Sequence, residues 1–354
     1  MKKRFATIYA VICTLLLAAG FLAVFLFSWQ SGTSDIIQCL IGLLAGVVFA
    51  PIVHELGHVT FAAVAKMDCV FVKFFCFKIY IKEGKKRLGF ASPFAPDQTQ
   101  VLPKTGGNMP KRALTYAVGG LIFSGILIAL ILLGAILVHI LLVSNYLLWG
   151  MLPYTCYLFL FNALPLEYPQ GKTDVGVCIG IKKGLDTEKN MLSAMEIQGQ
   201  LAEGKSFSEI DERWYTDVPQ LCEDEPMFAV MLDLRYRYYL DKLDYDRAAE
   251  CLNRLISIMD YLPLDETEKV AAELVYMNAL RGEMSQAEEN AKACQRFLKG
   301  NTATAKRVLA AWSAASGHPE HAKALIEQGE ECLRYERVAG VEKFEKSLLA
   351  RIEP

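Results

Sequence analysis

The sequence predicts a mainly α-helical protein in two parts: a polytopic membrane helix bundle of about four spans with a small membrane-associated β-hairpin, then a cytosolic α-solenoid-like helical domain. Three observations carry this. Long apolar runs crowd the first half of the 354-residue chain, which is 53% hydrophobic overall. Charge divides in the same way: residues 1–180 hold 14 Lys/Arg against 7 Asp/Glu, whereas residues 181–354 hold 23 against 32. That is the pattern of a membrane domain with basic loops joined to a water-exposed one. From Glu188 onward, short helical patterns alternate with turns.

The runs are Phe5–Phe27, Ile36–Val53 (continuing through a polar motif to Ala65), Ala113–Val143 and Tyr146–Leu166. Each is long enough to cross ~30 Å of hydrocarbon at about 1.5 Å per residue. They set spans at about 5–27, 36–65, 113–143 and 146–166 within a membrane domain of residues 1–180. Small residues at Ala18, Ala19 and Gly20 would suit a signal-peptide cleavage site, but 23 apolar residues are long for one, so the first run reads as an anchor. Met1-Lys2-Lys3-Arg4 precedes the first run, and residues 66–112 hold ten Lys/Arg against Asp68, Glu83 and Asp97. The positive-inside rule then places both termini, this loop and the C-terminal half in the cytosol of a multi-pass protein, expected in a bacterial cell membrane. Ten cysteines without a CxxC pair fit a reduced, cytosol-facing chain. No nucleic-acid partner is expected.

The second run contains His54-Glu55-Leu56-Gly57-His58. Residues i and i+4 share a helix face, so both imidazoles can aim at one metal ion. Glu55 falls on the adjoining face, where it can take a proton from water at that ion. Polar groups in lipid are costly and mark a functional site by default. A catalytic zinc site needs a third protein ligand and an open position. The fourth run ends in Asn162-Ala163-Leu164-Pro165-Leu166-Glu167, followed by Tyr168 to Thr173 and then Asp174-Val175-Gly176. Two Pro and a Gly break the helix there, and broken backbone at membrane depth is tolerated where protein or water surrounds it. Asp174 is the expected third ligand of one Zn2+ per chain, and Glu167 the reserve.

A HExxH helix in the membrane, followed two spans later by Asn-x-x-Pro and an Asp-Gly-like element, resembles the site-2 protease family of intramembrane zinc metalloproteases, over roughly residues 36 to 180. The resemblance makes His54, His58 and Asp174 zinc ligands and Glu55 the general base. It assigns Asn162 and Pro165 to substrate binding, and Gly119-Gly120 resembles the family's glycine motif without its usual Pro and Asn. The family often has Leu-Asp-Gly about eight residues after the Asn, whereas Asp174 lies twelve after Asn162. The aromatic and β-branched stretch Val70–Lys82, a turn at Glu83-Gly84 and Arg87–Ala91 read as a strand and hairpin. The resemblance places a membrane-associated hairpin beside the active site here, whose edge can take an unwound substrate as an added strand.

In the second half, segments beginning at Leu243, Gly282 and Gly317 each place an Ala five residues on, at Ala248, Ala287 and Ala322. Intervals of 39 and 35 lie near the ~34-residue tetratricopeptide period. Residues 226–354 thus resemble a short tetratricopeptide-like array, preceded by a helical linker at 181–225. The expected function is that of an intramembrane zinc metalloendopeptidase. Its substrate would be a transmembrane or signal-peptide-like segment of a single-span protein or peptide precursor, and the repeats offer a surface for a protein partner. The alternative is an inactive membrane-anchored scaffold with a structural zinc.

Overall fold

In the computed structural model, residues 2–82, 85–92, 97–141, 145–168, 171–262 and 264–353 are described; the expected turn at Glu83-Gly84 lies outside them. The chain is mainly helical and forms two units, one of residues 1–102 and 108–185, the other of residues 103–107 and 186–354.

The first unit opens with α1 (Lys2–Ser31) and α2 (Thr33–Val64). Only Gly32, at φ +129°, separates them, so residues 28–35, between the first two apolar runs, are almost entirely helical. A four-stranded sheet follows, β1 (Met67–Phe74), β2 (Phe77–Lys82), β3 (Lys85–Phe90) and β4 (Gln98–Pro103), then α3 (Met109–Ile140) and α4 (Tyr146–Asn162). A two-stranded ribbon, β5 (Glu167–Tyr168) and β6 (Gly171–Lys172), leads into α5 (Asp174–Lys183). Among the described residues, three helices are long and apolar enough to cross a membrane: Ala6–Ser31, Thr33–Val64 and Met109–Ile140. The expected fourth span, 146–166, is helical over 17 residues, which is ~25 Å. Its helix ends at Asn162, just before Leu164-Pro165, because the residue ahead of a proline is steered out of helical geometry.

Small residues set the helix packing. Gly42 and Gly46, one turn apart on α2, meet α4: a Cβ on Gly46 would lie 2.8 Å from the Met151 carbonyl oxygen. Farther along α2, a Cβ on Gly57 would lie 2.8 Å from the Gly119 carbonyl carbon of α3. Such close approach is how spans associate in lipid, where apolar burial drives nothing and dispersion must.

The sheet order is β3-β2-β1-β4. The stretch expected as one strand from Val70 to Lys82 is in fact two, paired antiparallel with Phe74 opposite Phe77. Phe75, at φ +50°, forms the turn, and neither Gly, Pro, Asn nor Asp marks it. Asp97 supplies what the local sequence lacks: its Oδ1 accepts from the Phe75 N–H and from buried Lys73, both at 2.8 Å.

The second unit runs through α6 (Asp186–Ala202), α7 (Arg213–Thr216), α8 (Pro226–Asp241), α9 (Tyr245–Ser257), α10 (Leu264–Arg281), α11 (Met284–Ala293), α12 (Gln295–Leu298), α13 (Ala303–Ala315), α14 (Pro319–Leu333) and α15 (Ala339–Leu349). Residues 186–225 belong to it and send Ile197, Phe207 and Tyr215 into its core. Helices α8/α9, α10/α11 and α13/α14 form successive pairs, each turning at a left-handed residue: Leu243, Gly282 and Gly317. Ala248, Ala287 and Ala322 are wholly buried at the start of each second helix. Four helices also contribute to one buried polar ladder. Tyr236 Oη donates to Glu273 at 2.7 Å, and Arg307 joins Glu273 at 2.7 Å to Glu345 at 2.8 Å. Arg307 lies 4.2 Å from the centroid of the Tyr276 ring.

Candidate metal centre

Helix α2 places His54 and His58 one turn apart, and both are buried. Their ring orientations come from α3. His54 Nδ1 lies 3.0 Å from Ser124 Oγ, and His58 Nδ1 donates to the Tyr116 carbonyl at 3.2 Å. A carbonyl only accepts, so His58 carries its proton on Nδ1 and keeps the Nε2 lone pair free for a metal. Gly120 makes room for both rings, since a Cβ there would sit 2.7 Å from His54 Nε2.

The third group arrives from α5. Thr173 caps that helix by accepting from the Gly176 N–H at 3.2 Å. Its hydroxyl also donates to the Leu164 carbonyl at 2.5 Å, and its N–H donates to the Leu166 carbonyl at 3.1 Å. The ribbon β5–β6 therefore leaves and rejoins the chain at one place, with Glu167 opposite Lys172. Residues 167–172 lengthen the sequence between Asn162 and Asp174 without separating Leu166 from Thr173. The twelve-residue spacing is absorbed in that excursion.

Asp174 Oδ2 lies 3.4 Å from His54 Nε2, and Asp174 Oδ1 lies 3.3 Å from His58 Nε2. Ligand atoms of these three residues all lie within 4.8 Å of one another, the one metal-capable group among the described residues. Zinc bonds of ~2.0–2.2 Å in a tetrahedron put neighbouring ligands ~3.3–3.6 Å apart, and the two His–Asp distances match that edge, each with a different carboxylate oxygen. The chemistry fits too. Asp174 Oδ2 is buried without a hydrogen-bond partner, and such an atom is expensive unless a cation or donor meets it.

Glu55 stands beside this group but outside it. It is 5% exposed, and its Oε2 accepts from Thr99 Oγ1 of β4 at 2.5 Å. The Thr99 carbonyl in turn accepts from Tyr116 Oη at 2.6 Å. The other expected residues are not drawn in. Glu167 is exposed on β5 and joins no metal-capable group. Asn162 bonds back along its own helix to the Leu158 carbonyl at 3.2 Å, and Pro165 is exposed. Sequence reading passed over Ser124, Tyr116 and Thr99. Ser124 left a faint signal, as a hydroxyl in a charge-free apolar run, whereas Thr99 left none.

Fold and site together define a mainly helical chain with, among the described residues, three helices long and apolar enough to cross a membrane and a His-His-Asp group able to hold a metal ion. Comparison with protein-family models, with curated proteins and with solved structures finds no match for it.

Proposed function

We propose that the chain is an intramembrane zinc metalloendopeptidase of the site-2 protease type. The observation that carries this reading is the closing of Asp174 onto His54 and His58 while Glu55 stays outside the group. Three protein ligands with an acid beside them suit a catalytic site, whereas a structural zinc takes four ligands and has no use for the acid. A zinc ion held there would supply Lewis acidity to a substrate carbonyl and to water. Glu55 does the proton work. One carboxylate oxygen takes a proton from the water whose oxygen forms the new C–O bond. The same oxygen returns that proton to the amide nitrogen as the C–N bond breaks.

In this reading α4 makes the fourth crossing, with the broken segment 163–173 at its cytosolic end and both termini in the cytosol. The substrate is a single-span protein or peptide precursor whose helix must unwind to expose a carbonyl. Asn162 and Pro165 flank its path, and the paired helices of the second unit, tetratricopeptide-like, hold a protein partner. Membrane proteomes of cells carrying the wild type and Glu55→Gln test the proposal. Uncut single-span substrates should accumulate with Glu55→Gln. Indistinguishable membranes would reject proteolysis and favour an anchored scaffold.

A further inference from the structure

We infer that Thr99 is a positioning residue that holds Glu55 out of the metal's coordination sphere and so reserves the open position for water. The inference rests on the metalloprotease reading of the same site. Glu55 is buried, and the hydroxyl of Thr99 is the hydrogen-bond donor the structure gives to its carboxylate. Its neighbour His54 is a ligand of the metal group. A buried carboxylate that loses its donor must find another partner, because its desolvation otherwise goes uncompensated. A metal held by His54, His58 and Asp174 would bring a positive charge to the adjoining face, with its fourth position open to a ligand. Glutamate is itself a good zinc ligand, so Glu55 released from Thr99 turns from a base into a fourth ligand and closes the site.

Thr99 is well anchored for this task. Its own carbonyl is held by Tyr116 Oη, and the Tyr116 carbonyl holds His58 Nδ1. One connected chain of hydrogen bonds thus fixes His58 and Glu55 relative to each other, through two residues outside the metal-capable group. Outer partners of this kind are typically worth ~10–100-fold in affinity or activity.

The test uses purified full-length protein loaded with Co(II), whose visible absorption reports the number and kind of donors. Thr99→Val should keep one cobalt per chain, but its band should change as a carboxylate takes the position held for water. Thr99→Ser should restore the wild-type band. In a Glu55→Gln background, Thr99→Val should add no further change, because the group it releases no longer ligates strongly. An unchanged band in Thr99→Val overturns the inference, as does an equal shift in the Glu55→Gln background, which would mark a general disturbance. Thr99→Ala carries the same expectation should Thr99→Val not fold, and loss of cobalt by both also overturns it. On a substrate found by the proteomic comparison, Thr99→Val should lower kcat by ~10–100-fold with KM unchanged. If the wild type cleaves nothing, the protease reading fails while the spectra still decide the role of Thr99.

Discussion

Each unit buries a cluster of ionisable side chains, and the two clusters differ in what they leave unfinished. In the second unit, Arg307 brings its positive charge between Glu273 and Glu345, and Tyr236 donates to the first of them. Its negative charges meet a cation within the chain. In the first unit, ligand atoms of His54, His58 and Asp174 lie within 4.8 Å of one another, and Asp174 Oδ2 has no hydrogen-bond donor. One cluster supplies its own countercharge; the other could hold a cation that the chain does not provide. Burial alone therefore does not separate structure from function. What separates them is whether the countercharge lies within the chain, since each cluster leaves one buried atom without a hydrogen-bond partner, Arg307 Nη1 in one and Asp174 Oδ2 in the other.

Removing a ligand should break the comparison most completely. Asp174→Ala should strip the bound metal and abolish cleavage, while Glu167→Ala keeps both; metal analysis of the purified variants reads the difference. The reverse pattern would reassign the third ligand. Gly120→Ala should also cost the metal, because its methyl group would fall 2.7 Å from His54 Nε2. Next in size is Glu55→Gln, which should lower cleavage by ~10²–10⁴ with zinc content unchanged, as loss of a general base does. Robust turnover by the zinc-loaded variant would remove Glu55 from the chemistry.

The second unit offers the contrasting experiment. Arg307→Met leaves two buried carboxylates without their cation and should destabilise that unit by about 3–5 kcal/mol, with metal content untouched. Thermal unfolding followed by circular dichroism would show it. Adding Glu273→Leu and Glu345→Leu should recover most of the loss, since a buried ion pair is often replaceable by apolar packing. If Arg307→Met lost metal instead, the two clusters would not be independent. The smallest effect concerns thiols of the same unit. Burial disfavours the thiolate and pushes both Cys251 and Cys294 up to about 11. Their alkylation in the folded protein should still be climbing at pH 10, long after exposed Cys222 is labelled at pH 8. Mass spectrometry of the labelled chain would reveal it, and early labelling of Cys251 would mean a looser core.

The ladder was also the less legible of the two clusters. Tyr236, Glu273, Arg307 and Glu345 look like ordinary surface residues of amphipathic helices, and only the packing of α8, α10, α13 and α15 turns them inward. The turn residues of the helix pairs were readable, because a left-handed residue followed by a buried Ala is a local pattern repeated along the chain. The sheet was half readable. Alternating apolar and basic residues announced strands, but the turn at Phe75 depends on Asp97, and no short window of sequence contains both.

What the sequence by itself determined is what a few neighbouring residues can enforce. Apolar runs set the helices able to cross a membrane. A four-residue spacing put His54 and His58 on one face and Glu55 on the adjoining one. Tertiary structure decided the rest. The groups that orient the site, Ser124 for His54 and Thr99 for Glu55, come from 70 and 44 residues away. Asp174 reaches the histidines because Thr173 ties the end of a short ribbon back to Leu166. Hydrogen bonds and metal geometry act over ~3 Å whatever the distance along the chain, so they carry no period or spacing that a sequence can display.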